Sequence, residues 1–408
     1  IEEIEHNDFV YDFTINNENH NFISNGFVVS NCSVRLLKTN LTKKDIETKN
    51  KLISKELFNA ISTGVGKGSK VKISGKDMID IMKKGARWAV EKGYGVEDDY
   101  KFSEENGCME EAVPANVSGE AVSRGVNQLG SLGSGNHFVE VQFVDEVFDE
   151  NTAKVFGLKK NQVCIMIHCG SRGLGHQVAS DYIKKMIDEY GIENFPDRQL
   201  VSAPINSKLG KDYYGAMCAA ANFAFCNKQI ITHLIREKMK KFFPDFKADV
   251  IYDVCHNIAK FEKHKIDGKE KVVCVHRKGA TRSFGKGRKE IPEKYRDVGQ
   301  PILIPGSMGT SSFVLVGTKK AEELTFASTA HGAGRLMSRH EAMKKFRTDD
   351  VVKKMNEKNI EITAGSWKSL VEEASDVYKN VDEVVRVSNE LGIGNIVAKL
   401  RPLVVIKG

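Results

Sequence analysis

"QLGSLGSGNHFVEVQFV" (residues 128–144) sets a glycine- and serine-rich bend ahead of an apolar run. Its GSLGSG element fits neither the P-loop nor the dinucleotide-binding pattern, and no Walker lysine occurs anywhere in the chain. Working outward, strand-like runs appear at 138–144, 163–168, 271–276, 313–317 and 402–408. Helical periodicity is clearest at 43–61, 77–92, 174–190, 212–241, 335–346 and 381–391. "KIDGKEK" (265–271) reads as a hairpin, because Asp-Gly supplies the positive φ angles of a tight turn. Strand and helix signals mix rather than alternate, so a doubly wound parallel sheet is not expected and the fold class is α+β.

The chain has 408 residues, 41% hydrophobic and 28% charged, which is globular composition and excludes disordered and collagenous classes. No run approaches the length of a membrane span, and the acidic start lacks the basic region of a secretion signal. Eight cysteines without a C-x-x-C pair fit a reducing compartment, so the expected location is the cytoplasm. The net charge of +7 is modest, yet residues 276–290 and 338–347 concentrate Lys and Arg where they can meet phosphates.

Four histidine motifs stand at strand ends or glycine-rich bends: GSGNHFVE, MIHCGSRG, DVCHNIAKFE and STAHGAGR. Imidazoles with a thiolate suit Zn, Mn, Fe or Co, so several such loops together point to a metal site. Glu140 follows His137 by three residues, which on a strand places the two on opposite faces and leaves Glu140 for an organic ligand. "PGSMGTSSF" (305–313) is a second bend rich in hydroxyl and backbone donors able to hold phosphate or ribose. His331 lies on a loop, with Arg335 and Arg339 expected one turn apart on a following helix, a layout suited to a histidine that attacks phosphorus. A dinuclear-metal phosphohydrolase or nuclease is the alternative enzyme reading, and a simple nucleic-acid-binding module leaves the histidine motifs unexplained.

Residues 10–32, "VYDFTINNENHNFISNGFVVSNC", alternate apolar and polar groups through two short strands and stop at Asn-Cys. They resemble the C-terminal end of an intein, with His20 and Asn21 in its block, Asn31 as the cyclising residue and Cys32 as the splicing nucleophile. Ser30 stands where that family usually has a penultimate histidine.

From Cys32 to the end, QLGSLGSGNHFVEVQ, IHCGSRGLGHQVA, DVCHNIAKFE, HRKGATR and STAHGAGRLMSR resemble the RtcB family of RNA-splicing ligases, and LRPLVVIKG resembles its C-terminus. The resemblance implies one RtcB-like catalytic domain over 32–408, with mixed sheets and surrounding helices, after an intein remnant over 1–31. It implies a GTP-dependent ligase with two Mn²⁺, joining RNA 2′,3′-cyclic phosphate or 3′-phosphate ends to 5′-hydroxyl ends in tRNA halves or broken RNA. The small protein archease is an implied activator. By position, Cys32, His137, His168 and His256 match the family's metal ligands, with the Cys32 thiolate bridging two ions, and His331 matches its guanylylated residue. Asn136, Glu140, Asn257, Pro305, Gly306, Ser307, Met308, Ser312, Gly332, Ala333, Gly334, Tyr378 and Lys407 match guanylate-binding positions. Arg335 and Arg339 match positions facing the RNA phosphate. Val29 stands where the family has a metal-binding Asp and Ser33 where it has Gly, so this polypeptide alone is expected to bind metal poorly and to ligate weakly or not at all.

Overall fold

The computed structural model describes residues 32–64, 69–195 and 197–408. The intein-like stretch 1–31, including Asn31, lies outside the described residues. The architecture is α+β, as expected from the mixed signals. Its centre is an eight-stranded sheet in the order Pro301–Ile304, Ser312–Val316, Asn395–Lys407, Phe138–Val147, Gln162–Gly170, Cys32–Thr42, Ala248–Cys255. These neighbours run antiparallel, and Glu361–Ala364 adds in parallel alongside Asn395–Lys407.

The central strands are buried on both faces because each face is covered. On one side Val139, Val141, Ile165 and Ile167 pack with Ile231 and Ile235 of the long helix Lys208–Met239 and with Ile53 and Leu57 of helix Asn50–Ala60. Val34, Leu36, Phe138 and Met166 belong to a second cluster with Tyr252, Val314 and Leu400. Alternation along each strand therefore sorts residues into a helix-facing set, which includes Arg35, and a second set, which includes Glu140, Gln142 and His168.

Several expected elements differ in extent. Residues 43–61 form two helices, Lys43–Glu47 and Asn50–Ala60, and 77–92 form Gly75–Lys84 and Ala86–Glu91. The second break falls at Gly85, whose φ is +57° and whose added Cβ would stand 2.2 Å from the Gly107 carbonyl oxygen. Helix 335–346 shortens to Arg339–Lys345, since Arg335 is bridged to Tyr378 as extended backbone. The hairpin is as read: Asn257–Ile266 pairs with Lys269–Lys278 around Asp267 and Gly268, at φ +52° and +77°. Strands Cys32–Thr42 and Ala248–Cys255 had no counterpart in the sequence reading. No helix among the described residues is long and apolar enough to cross a membrane.

A buried ionic group ties those two strands to the long helix. Arg35 Nε donates to Asp253 Oδ2 at 2.9 Å, Lys228 Nζ lies 3.4 Å from Asp253 Oδ1, and all three side chains are fully buried. Arg35 Nη1 also donates to Gln229 Oε1 at 2.6 Å and Thr232 Oγ1 at 3.1 Å. Asp253→Ala would leave two buried cations facing each other, so urea unfolding is expected to show a loss of about 3–5 kcal/mol; a loss below about 1 kcal/mol would contradict this account.

Candidate metal centre and nucleotide cavity

The sheet order gathers side chains that are far apart in sequence at one end of the central strands. Cys32 opens its strand, His168 is near the end of the neighbouring strand, His137 immediately precedes Phe138–Val147, and His256 immediately follows Ala248–Cys255. The His256 N–H donates to the Cys32 carbonyl at 3.1 Å, closing the corner between these strand ends. Gly133 makes room for one of the rings, since a Cβ there would meet His137 Nδ1 at 2.0 Å.

The sulfur of Cys32 and one ring nitrogen each from His168 and His256 all lie within 4.8 Å of one another. Cys32 Sγ is 3.3 Å from His137 Nε2, and His168 Nε2 is 3.2 Å from His256 Nε2. The rings form a row: His137–His168 centroids are 5.7 Å apart, His168–His256 4.9 Å and His256–His331 4.6 Å. Burial holds the His137 pKa down to about 3 and drives His168 and His256 well below the usual imidazole value, keeping these rings neutral with lone pairs available. Burial, with Cys169 nearby, pushes the Cys32 thiol up to about 12, against the opposing field of Lys228. A divalent cation supplies the positive charge that makes a thiolate tenable in such a place. The donor set and its convergence therefore fit a metal ion.

His331 follows the short strand Ser328–Ala330, which pairs with Ala280–Arg282. Burial, helped by Lys278, lowers its pKa to about 4, and its Nδ1 is buried without a hydrogen-bond partner. It stands in the wall of a cavity of about 240 Å³. The wall includes Asn136, His168, Pro305, Gly306, Ser307, Met308, Gly332, Ala333, Gly334, Arg335, Arg339, Tyr378 and Lys407. The segments that the sequence analysis nominated separately thus share one space.

Of the positions matched to guanylate binding, Glu140, Asn257 and Ser312 stand outside that wall. Gln142 Nε2 donates to Glu140 Oε2 at 2.6 Å and to Ser312 Oγ at 2.9 Å, and Ser312 Oγ accepts from the Gly306 N–H at 3.0 Å. Glu140 and Ser312 thereby brace the 305–308 loop. Burial raises the Glu140 pKa to about 7, and its Oε1 is buried without a partner. Asn257 Oδ1 accepts from the Gly279 N–H at 3.3 Å, beside His331. The loop differs from expectation in one respect. Its Gly306 and Ser307 N–H groups donate to Ser312 and Thr310 hydroxyls, so these backbone donors are engaged within the turn.

Sequence reasoning missed Glu373, Gln142 and Lys228. Glu373 is 2% exposed and accepts from Arg335 Nη1 and Arg339 Nε, each at 3.3 Å, and from the Tyr378 hydroxyl. The Arg335 guanidinium also lies 5.0 Å from the centre of the Tyr378 ring. Lys228 donates to the Ser33 hydroxyl, directly behind the cysteine. Gln142 was discoverable, because it stands two residues after Glu140 on the same face of one strand. The other two had no local signal.

Comparison with known proteins agrees with this arrangement. The family model described as "tRNA-splicing ligase RtcB" matches residues 11–408. A protein named tRNA-splicing ligase RtcB from Archaeoglobus fulgidus is 53% identical over 385 residues, covering 93% of this chain and 80% of its own length. Similarly named proteins from Pyrococcus furiosus and Methanocaldococcus jannaschii are 52% and 47% identical over 98% and 100% of this chain, which spans only 42% and 43% of their lengths. With matches of this extent laid over a buried Cys/His cluster beside a histidine-walled cavity, the chain belongs to the RtcB family of tRNA-splicing ligases.

Proposed function

We propose that this chain carries the catalytic residues of a GTP- and Mn²⁺-dependent RNA ligase, with weak activity in this polypeptide alone because Val29 stands where the family has a metal-binding Asp. It joins 2′,3′-cyclic phosphate or 3′-phosphate ends to 5′-hydroxyl ends through a His331–GMP adduct and an RNA-3′-pp-5′-G intermediate. The observation that carries the reading is the position of His331, whose ring centroid is 4.6 Å from that of His256 while the same residue walls the cavity shared with Arg335, Arg339 and Tyr378. Cys32, His137, His168 and His256 would hold two Mn²⁺ ions, which supply Lewis acidity to phosphoryl oxygens when bound.

A neutral His331 is the nucleophile: its ring nitrogen bonds to the α-phosphorus of GTP as pyrophosphate departs. An oxygen of the RNA 3′-phosphate then takes the guanylyl group from the imidazole, and the 5′-hydroxyl oxygen attacks that activated phosphorus with GMP leaving. A 2′,3′-cyclic phosphate is first hydrolysed to the 3′-phosphate. Arg335 and Arg339 meet the phosphate charge, which requires their guanidiniums to turn from Glu373. Tyr378 offers a stacking face to guanine, while Lys407 and Glu140 address its polar edges, with Asn136, Asn257, Ser312 and the Pro305–Met308 and Gly332–Gly334 loops enclosing the nucleotide.

The proposal includes an intein end over 1–31 and a ligase domain over 32–408. Supporting it, relatives aligned over 98–100% of this chain are covered to only 42–47%, whereas those aligned over 93% are covered to 80%. RNA, either tRNA halves or broken strands, is the partner, with archease as an activating protein and the cytoplasm as the location.

Incubation with Mn²⁺ and GTP labelled at the α-phosphorus is expected to give an acid-labile, base-stable label on the protein that His331→Ala abolishes. Label kept in that variant would remove His331 as the acceptor, whereas Mn²⁺-dependent phosphate-ester hydrolysis with no label on the protein would favour a phosphohydrolase that uses no nucleotide. Calorimetric titration with Mn²⁺ is expected to lose at least 10-fold in affinity in His168→Ala, and unchanged binding would remove this ring from the ligand set.

A further inference from the structure

The hairpin Asn257–Ile266/Lys269–Lys278 is rooted in the site at both ends. Asn257 follows His256, and Gly279, which follows Lys278, donates its N–H to the His256 carbonyl at 3.1 Å and lies against the His331 ring. From there the hairpin extends about 30 Å, ten residues at the usual rise per strand residue.

Its two faces have different duties. The inner face is engaged: Lys260 with Glu104 at 2.6 Å, Glu262 with Arg277 at 2.6 Å, and His264 against Phe326 at 5.4 Å between ring centroids. The outer face pairs Asn257 with Lys278, Ala259 with His276, Phe261 with Cys274, Lys263 with Val272 and Lys265 with Glu270, and of these Ala259 is buried against Met217, Tyr213 and Tyr214 of the long helix. On it Phe261 and Val272 are 46% and 61% exposed, and Lys263, Lys265 and Lys278 are exposed. Tyr214 of the long helix meets Phe261 edge-on, with centroids 5.1 Å apart and an interplanar angle of 71°. Glu270 faces this strip and lies 3.3 Å from Lys263, and Glu111 lies near Tyr214. An exposed phenylalanine beside a half-buried tyrosine, flanked by lysines on a hairpin rooted at a phosphate-reactive centre, has the composition of a single-strand track: rings stack on bases and ammonium groups follow the backbone.

We propose that the outer face of this hairpin, with Phe261 and Tyr214 as stacking platform and Lys263, Lys265 and Lys278 as phosphate contacts, holds the single-stranded RNA that leads to the reacting 3′-phosphate. The inference rests on the reading that the chain acts on RNA ends. Phe261 lies four strand residues from Asn257, about 13 Å, so about four stacked bases separate it from the reacting end. The track therefore distinguishes long strands from short ones. Base–aromatic stacking is sequence-tolerant, so it does not select a particular RNA.

The test is fluorescence anisotropy of the 408-residue chain with 3′-phosphorylated RNA of three and of ten nucleotides. Phe261→Ala and, separately, the pair Lys263→Glu with Lys265→Glu are expected to weaken the ten-nucleotide RNA about 10-fold and to leave the three-nucleotide RNA unchanged. The charge variant should also flatten the salt dependence of binding. Unaltered binding of the longer RNA, or equal loss for both lengths, would overturn the track and leave the exposed patch to another partner. Transfer of GMP to His331, measured in parallel, separates the two claims: length-selective loss supports the track whether or not the adduct forms.

Discussion

One buried carboxylate holds the frame on which the site is built. Asp253 is shared by Arg35 and Lys228, so strands Cys32–Thr42 and Ala248–Cys255 and the helix Lys208–Met239 are fixed to one another by charge as well as by packing. Such a group is costly to bury and contributes little net stability over an apolar substitute. Its effect is positional. Arg35 has hydrogen-bond partners in the neighbouring strand and in two consecutive-turn residues of the helix, which sets the height of its own strand relative to both. Cys32 lies three residues away, so a shift of that strand moves its sulfur with respect to both His168 and His256.

The same group explains what could be read from sequence and what could not. Strands Phe138–Val147, Gln162–Gly170 and Ser312–Val316 were legible because their apolar residues form a run or alternate cleanly. Cys32–Thr42 hid because Ser33 and Arg35, on its helix-facing side, are polar residues serving a buried ionic cluster, so the expected apolar face is absent. Ala248–Cys255 hid for the same reason at Asp253. The histidine motifs were legible because bends with several glycines around an imidazole are rare outside functional sites. Glu373 was not, since its partners Arg335 and Arg339 are 38 and 34 residues away and only the fold brings them together. Arg335 and Arg339 have helical spacing, yet the loop before Arg339 is drawn out by its bridge to Tyr378.

The cavity walled by His331 is braced from two sides by carboxylates of opposite character. Glu373 is saturated, holding two guanidiniums and a phenol, and so keeps the arginines' charge compensated within the protein. Glu140 is half-satisfied: one oxygen accepts from Gln142 and the other has no partner. A buried oxygen without a donor carries a desolvation cost that a ligand N–H can relieve. The difference gives the cavity one wall that must exchange partners to accept an anion and another that only gains one.

Strand Asn395–Lys407 lies in the interior of the sheet, hydrogen-bonded to Ser312–Val316 on one side and Phe138–Val147 on the other, with Glu361–Ala364 also alongside it. During synthesis the two portions of the sheet therefore wait for this late segment, each showing an unsatisfied edge of N–H and C=O groups. Pairings of such long sequence separation form slowly. Until this strand docks, the sheet is left as two open-edged halves, so closure of the β-layer depends on a segment far in sequence from both of its neighbours.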